Sequence, residues 1–166
     1  MTLIRRGLLF LLIFTALQLG WQAARGTWLE QVVIHDVTVS PAAAAVNFLT
    51  PDAHALAIKF SINAPGGGLN VLNGCEGTEA LFLLLAAFLV APLPWRSRFG
   101  GFLLGVGMVF VVNQLRILAL FYAYRADHAL FDPLHGTVAP ILVILLVAGY
   151  FYGWLLYSRP RSTVPI

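Results

Sequence analysis

The sequence predicts an all-α membrane protein of about four transmembrane helices, with a small extracytoplasmic loop region that contains a β-hairpin. Three observations support this fold class. Hydrophobic residues make up 60% of the 166 residues and charged residues only 10%, whereas soluble domains are about 25% charged. The mean hydropathy is +0.85. Several apolar runs approach the roughly 20 residues that a helix needs to cross about 30 Å of hydrocarbon. The length fits a single integral membrane domain over residues 1–166.

The first predicted span covers Leu3–Trp21 and carries Arg5 and Arg6 near its start. A signal peptide also begins in this way. Because no small-residue cleavage site directly follows the apolar core, we expect this helix to be retained. The other predicted spans cover Gly77–Trp95, Phe99–Tyr124 and Thr137–Tyr157.

Pairs of arginines predict how the spans are oriented. With alternating crossings, all the pairs lie on one side of the membrane, and the positive-inside rule makes that side cytoplasmic. Both termini are then cytoplasmic, and the loops 24–74 and 125–136 are extracytoplasmic. The arginines are scattered beside apolar runs, so the pI of about 9.4 does not indicate a nucleic-acid partner. The pairs are Arg5 and Arg6, Arg96 and Arg98, and Arg159 and Arg161; Trp21, Trp95 and Tyr157 suit interfacial anchors.

The long extracytoplasmic loop, residues 24–74, is predicted to contain secondary structure. The stretch GTWLEQVVIHDVTVSPAAAAVNFLTP favours one or two helices on the membrane surface, broken at Pro41 and ended at Pro51. The stretch HALAIKFSINAPGGGLNVLNG alternates apolar and polar residues on both sides of Pro65–Gly68. This alternation predicts a β-hairpin with a glycine-rich turn.

Polar residues from three predicted spans are expected at the same membrane face. Cys75, the only cysteine, lies at the outer end of the second span, and His135 lies at the start of the fourth. Arg116 lies inside the third span, below its outer end. Cys75 or His135 alone could be a packing or interfacial residue. An arginine inside a span costs at least about 2.5–3.5 kcal/mol, so Arg116 is expected to face a partner or a polar cavity.

These residue types suit acyl transfer or peptide cleavage. The thiolate of Cys75 would be the nucleophile, and His135 would accept its proton and return it to the leaving amine. Arg116 stays charged and could stabilise the thiolate or a tetrahedral oxyanion.

Three further polar residues are candidates for substrate binding or support. Asn113 lies three positions before Arg116, on the same helical face. Unpaired carboxylates at Glu76 and Glu79 would raise the pKa of Cys75, so both need partners or a role with the substrate. Glu79 lies about one turn beyond Cys75 and could pair with Arg116.

No metal or cofactor is predicted. A single cysteine excludes an internal disulfide, a CxxC redox pair and a multi-cysteine metal site. An HExxH motif is absent, and His35, His54 and His128 lack metal-site spacing.

Together these motifs resemble the exosortase and archaeosortase family of membrane cysteine transpeptidases. CEGTEA contains Cys75, NQLRILAL contains Asn113 and Arg116, and DPLHG contains His135. They follow the family's order of Cys, Arg and His, over residues 73–157. The resemblance implies that Cys75 is the nucleophile and that Arg116 and His135 complete the site.

The chain has fewer predicted spans than the larger family members and resembles the compact type called exosortase H. This resemblance implies a location in the bacterial inner membrane with the site facing outside. It also implies substrates that are secreted proteins with a C-terminal sorting signal: an IPTLxxWG-like motif, one spanning helix and a basic tail.

Other functions remain open from the residues alone. The protein could be a non-enzymatic scaffold in which Arg116 and Glu79 form a buried pair, or a small transporter in which Arg116 binds an anion. For a peptidase, the acceptor is also open. Water would make the protein a protease, whereas an amine or a membrane lipid would make it a transferase.

Overall fold

The computed structural model describes residues 2–71 and 74–158 and is mostly helical, with one small antiparallel sheet. Four of its helices are long and apolar enough to cross a membrane, which confirms the predicted fold class. The helices are α1 (Leu3–Ala23), α2 (Trp28–Leu49), α3 (Thr78–Val90), α4 (Trp95–Ala126) and α5 (His128–Tyr157). The strands are β1 (Leu56–Ile58), β2 (Ser61–Asn63) and β3 (Leu69–Asn70), and a single 3₁₀ turn covers Pro51–Ala53.

The helix at the predicted second span is shorter than expected. Helix α3 has 13 residues, which at 1.5 Å per residue is about 20 Å, less than the hydrocarbon thickness of about 30 Å. Ala91 is extended, with ψ of 143°, because the residue before a proline is disfavoured in the helical region. The prolines at 92 and 94 therefore end α3 before Trp95. Helix α2, expected on the membrane surface, has 22 residues and the apolarity of a span.

Helix α2 also continues through Pro41, where we expected a break. A proline lacks the N–H that would donate to a carbonyl of the preceding turn, so Pro41 leaves that turn one backbone donor short. The preceding segment, Val32–Val39, is π-helical. The side chain of Gln114 supplies a donor to this turn, with its Nε2 3.4 Å from Val37 O and 3.3 Å from Thr38 O. A contact from α4 thus stands beside Pro41, where α2 runs on to Leu49.

The predicted β-hairpin is present. Strands β2 and β3 pair antiparallel, with Ile62 opposite Leu69, and the turn between them uses Gly66 and Gly67 at φ of +85° and +133°. Strand β1 extends the hairpin to a three-stranded sheet in the order β1-β2-β3. His35 Nδ1 lies 2.7 Å from Lys59 O, which ties α2 to the turn between β1 and β2.

Two hydrophobic cores hold the structure together. The sheet-side core joins α2, the sheet and the C-terminal half of α4, and its buried members include Ile34, Val39, Val46, Ile62, Ile117 and Phe121. The bundle core joins α3, α4 and α5 through Leu84, Phe88, Val109, Val143 and Val147. Cys75 belongs to the sheet-side core. The predicted basic pair Arg159 and Arg161 lies outside the described residues.

Candidate active site

The loop that carries Cys75 is a tight turn directly before α3. Gly74 and Gly77 have φ of +93° and +85°, a left-handed conformation that glycine adopts without a steric penalty. A Cβ at Gly77 would also lie 3.0 Å from Asn113 Cγ. Glycine at these two positions therefore lets the loop lie against α4 with the Cys75 side chain only 6% exposed.

The structure brings the three predicted catalytic residues into contact. Cys75 Sγ lies 3.7 Å from Nδ1 and 4.0 Å from Nε2 of His135. Arg116 Nη2 lies 3.7 Å from the same sulfur, and Arg116 Nη1 donates to the carbonyl of Gly74 at 3.3 Å. The three side chains come from the loop before α3, from α4 and from α5. Their catalytic roles remain predictions, but their proximity is a feature of the fold.

The imidazole of His135 is positioned by its own helix. His135 lies in the π-helical segment Leu134–Val138 of α5. Its ring stacks on Phe131, with centroids 5.2 Å apart and planes inclined by 6°. This stacking presents the nitrogen-bearing edge of the ring to Cys75.

Glu76 contacts α1 and accepts three hydrogen bonds. Trp21 Nε1 and Thr78 Oγ1 each donate to Glu76 Oε1 at 2.9 Å, and the backbone N–H of Gly74 donates to Glu76 Oε2 at 2.6 Å. The carboxylate is only 7% exposed. Since it bonds the residue before Cys75 and a residue of α1, it fixes the conformation of the loop. Glu76 thus has partners that suit the supporting role we predicted.

Trp21 is the site residue that the sequence analysis missed. It was expected as an interfacial anchor, yet it is 8% exposed and its indole N–H donates to Glu76. The two residues are 55 positions apart, so no local pattern indicates the contact.

The other two predicted residues differ in their surroundings. Glu79 is exposed, and within the described residues it forms no ion pair with Arg116; the guanidinium instead contacts Cys75 Sγ and Gly74 O. Asn113 is 4% exposed, and its Oδ1 has no hydrogen-bond partner among the described residues.

The electrostatics of the site favour a neutral thiol. Burial raises the pKa of Cys75 above its ordinary value; the charge of Arg116 lowers it, and the charges of Glu76 and Glu79 raise it further. Because only the thiolate is strongly nucleophilic, this cysteine needs a base, and His135 is within reach of its proton.

Two apolar cavities flank α4 near this site. The smaller has a volume of about 270 Å³, lies between α4 and α5, and includes Arg116, Leu134 and Leu142 in its wall. The larger has a volume of about 490 Å³ and lies between α1, α2, α3 and α4. In the part of the chain that the structure describes, no group of three or more His, Cys, Asp or Glu residues could hold a metal ion.

Comparison with known proteins gives a partial similarity. The chain is 32% identical to the uncharacterized MFS-type transporter YhhS of Salmonella enteritidis PT4, in an alignment covering 60% of this chain and 30% of the transporter. The YhhS proteins of Salmonella paratyphi C and Salmonella typhi match equally. The chain thus spans about 30% of the length of these curated relatives. No family model matches the chain, and no solved structure matches it at a significant level. The four apolar helices and this similarity make the chain a multi-pass membrane protein.

Proposed function

We propose that the protein is a membrane-embedded cysteine peptidase or transpeptidase that cleaves the C-terminal sorting signal of secreted proteins. The observation that carries the proposal is the position of Cys75 Sγ, 3.7 Å from His135 Nδ1 and 3.7 Å from Arg116 Nη2. A nucleophile, a base and a donor to the oxyanion are the groups that acyl-transfer sites use, and Cys75, His135 and Arg116 would supply them. The order of the motifs, which resembles that of the exosortase family, supports the same reaction.

The proposed reaction begins when His135 removes the proton of Cys75. The thiolate attacks the scissile carbonyl carbon, a C–S bond forms, and Arg116 donates hydrogen bonds to the resulting oxyanion. The intermediate collapses with cleavage of the C–N bond, and His135 returns its proton to the leaving amine. The product is a thioester on Cys75. Water then releases a carboxylic acid, or the amine or hydroxyl of an envelope acceptor takes the acyl group.

The apolar wall between α4 and α5 would contact one face of the substrate's spanning helix. This wall is almost wholly apolar apart from Arg116, which lies next to Cys75. A substrate helix that packs there would bring the residues before it to the sulfur without leaving the membrane. The sorting signal would comprise an IPTLxxWG-like motif, this helix and a basic tail, as the family resemblance implies.

The proposed location is the bacterial inner membrane, with both termini cytoplasmic and the site facing outside. A maleimide that cannot cross the membrane tests this orientation in intact cells of a Cys75→Ser strain. Single cysteines at the exposed positions Asp52 and Ala129 should be labelled, whereas one at the exposed Pro92 should not. The reverse pattern would separate the site from exported substrates and contradict the proposal.

Co-expression with a secreted reporter that carries such a sorting signal tests the activity. Wild-type protein should release a shortened reporter, and mass spectrometry of the new C-terminus should identify the cleaved bond and any acceptor. A reporter without the motif but with the same helix and tail is the matched control. Equal processing of both reporters, or no processing of either, would contradict sorting-signal cleavage.

A transporter is the second candidate, and the partial similarity to YhhS favours it. Arg116 would then bind an anion in the cavity between α4 and α5. The Cys75→Ser substitution distinguishes the two functions, because transport does not need a thiol nucleophile. Substrate flux that persists in this variant, without any proteolytic product from the wild type, would favour transport.

A further inference from the structure

The hydrogen bonds of His135 do not by themselves fix the orientation of its imidazole. In many nucleophile–base pairs a third group, such as a carboxylate or an amide, orients the base. Within residues 2–71 and 74–158, the only hydrogen-bond partner of the His135 ring is Cys75 Sγ, at 3.7 Å from Nδ1 and 4.0 Å from Nε2. Because the sulfur lies almost equally far from both nitrogens, this contact leaves the plane of the ring undefined.

The plane of the His135 ring is defined by Phe131 instead. Residues four positions apart lie on the same face of a helix, and these two rings are nearly parallel, with planes inclined by 6° and centroids 5.2 Å apart. The separation falls within the range of about 4.5–7 Å that aromatic pairs prefer. A parallel stack restrains the tilt of the imidazole but lets it slide within its own plane. Such a movement could carry a proton from the sulfur to a leaving amine.

Phe131 is in turn held by Tyr124, near the C-terminal end of α4. The two rings meet edge to face, with centroids 5.4 Å apart and planes inclined by 78°. Tyr124 lies beside the glycine-rich turn of the hairpin, where a Cβ at Gly67 would lie 3.5 Å from its Cε1. A continuous series of contacts therefore runs from the hairpin turn, through Tyr124 and Phe131, to the ring of His135.

We propose that Phe131 is a positioning residue that takes the place of the third member of a catalytic triad. Its ring holds the imidazole of His135 against Cys75, and Tyr124 holds the ring of Phe131. The effect of Phe131 on catalysis rests on the proposed function. The contact between His135 and the thiol does not, so it can be tested in a protein that is given no substrate.

Infrared spectroscopy of the S–H stretch tests the position of His135 without any substrate. Cys75 is the only cysteine, so the band of the full-length protein reports this thiol alone. A thiol is a weak hydrogen-bond donor, and donation to an imidazole nitrogen lowers its stretching frequency. His135→Ala should therefore move the band to higher frequency, and Phe131→Leu, which removes the flat ring, should reproduce most of that shift. Phe131→Tyr, which keeps the ring, should leave the band in place.

A band at the wild-type frequency in Phe131→Leu would overturn the proposal, whatever the protein cleaves. A band that does not move in His135→Ala would do the same, because the imidazole would then not contact the thiol. Phe131→Met is the second variant should Phe131→Leu fail to accumulate in the membrane, since methionine is also apolar and has no ring to stack.

The rate of reporter processing tests the consequence for catalysis. Phe131→Leu should lower this rate about 10- to 100-fold at matched protein levels, because a misplacement of about 1 Å can cost about 10²-fold. Phe131→Tyr should retain most of the rate. Phe151→Leu is the matched control: Phe151 lies in the same helix and packs edge to face on Phe88, with centroids 5.1 Å apart, but it is about 24 Å along the helix from His135. An equal loss in both leucine variants would contradict a specific role of Phe131.

A double substitution separates positioning from a general structural role. With His135→Ala already present, Phe131→Leu should lower the remaining rate by less than about twofold, because the ring that it positions is gone. Tyr124→Leu should show the same dependence on His135, with a smaller single effect of about 2- to 10-fold. Losses that multiply in the double variant would show that Phe131 does not act through His135. A wild-type protein that processes no reporter would contradict the proposed function, and the infrared band would still decide the role of Phe131.

Discussion

The sheet-side core and the bundle core differ in the types of residue that they bury. The buried polar residues of the described chain lie on the sheet side or at its border with the bundle: Glu30, Thr38, Glu76, Thr78 and Asn113. The bundle core consists of large apolar side chains and of glycines against which aromatic rings pack. Gly101 is the clearest case, since Trp154 and Phe88 occupy the space where its Cβ would be.

This difference indicates that the bundle core supports the fold, whereas the sheet side carries the candidate active site. Burying a polar group is unfavourable unless it is hydrogen-bonded, so the sheet side holds its polar groups in a network that includes Trp21, Gly74 and Glu76. The bundle core buries fewer polar groups and gains rigidity from close packing; Tyr150 and Trp154 beside it donate to Gly101 O and Ser97 O. We therefore expect substitutions on the sheet side to change activity more than stability, and substitutions in the bundle to do the reverse.

The largest effect should come from Cys75. Cys75→Ala and Cys75→Ser should both abolish processing of the reporter while the protein still accumulates in the membrane, because serine is a poor nucleophile without a matched base. Immunoblots of reporter and enzyme from the same cells provide the measurement. Processing at the wild-type rate by Cys75→Ala would show that Cys75 is not the nucleophile and that the sheet side does not carry the active site.

Arg116→Lys should have the second largest effect. The rate of reporter processing should fall by about 10²–10³, the value typical of one lost oxyanion contact. Lysine keeps the charge but not the planar set of donors that here reaches both Cys75 Sγ and Gly74 O. The loss should be at least as large as that of His135→Ala at matched protein levels. Near-normal processing by the lysine variant would indicate that Arg116 is not a catalytic residue and that the site consists of Cys75 and His135 alone.

Glu76→Gln should lower activity by about 10- to 100-fold, since hydrogen bonds to a charged group contribute more than neutral ones. The amide keeps the volume of the carboxylate but loses its charge and one acceptor, so the loop at Gly74 loosens. Glu79→Gln is the matched control, because Glu79 is exposed. Measured rates and thermal unfolding in detergent should show a selective loss of rate for Glu76→Gln. A comparable loss in both variants would indicate a general effect of charge.

Gly101→Ala tests the bundle side. Its Cβ would lie 2.5 Å from Trp154 Nε1 and 2.7 Å from Phe88 Cε1, and overpacking of this kind destabilises by about 1–3 kcal/mol. Gly100→Ala, one residue earlier, meets nothing within 4 Å and should unfold like the wild type. Processing at a permissive temperature should persist in both variants. Loss of activity without loss of stability in Gly101→Ala would contradict the expectation that substitutions in the bundle core change stability more than activity.

The smallest effect concerns the pH dependence of Cys75 alkylation. Because burial raises the pKa of this thiol, the thiolate fraction is small at neutral pH, and the rate of alkylation by a small permeant reagent should still rise above pH 9. Arg116→Met removes the charge that lowers the pKa, so its profile should move to higher pH; Glu76→Gln should move it to lower pH. A profile that is unchanged in both variants would contradict the electrostatic account of the site.

Local sequence patterns predict much of the fold and identify the three candidate catalytic residues. The glycine-rich turn at residues 65–68 predicts the hairpin because glycine alone readily adopts its positive φ. The apolar runs predict long helices because hydrocarbon accepts few charges. Cys75, Arg116 and His135 could be selected because each is an exceptional residue type at its position in or beside an apolar run.

Residue type and helical spacing are enough to predict that the chain crosses a membrane and which three side chains could share one chemistry. Three further features arise only in the folded chain. Helix α2 continues through Pro41, and a side chain from α4 donates to a carbonyl of the turn before it. Trp21 joins the site because α1 packs beside the loop of Glu76. The cavity at Asn113 exists because four helices leave space between them. Each of these features depends on contacts between residues far apart in the chain, which hydropathy and spacing do not encode.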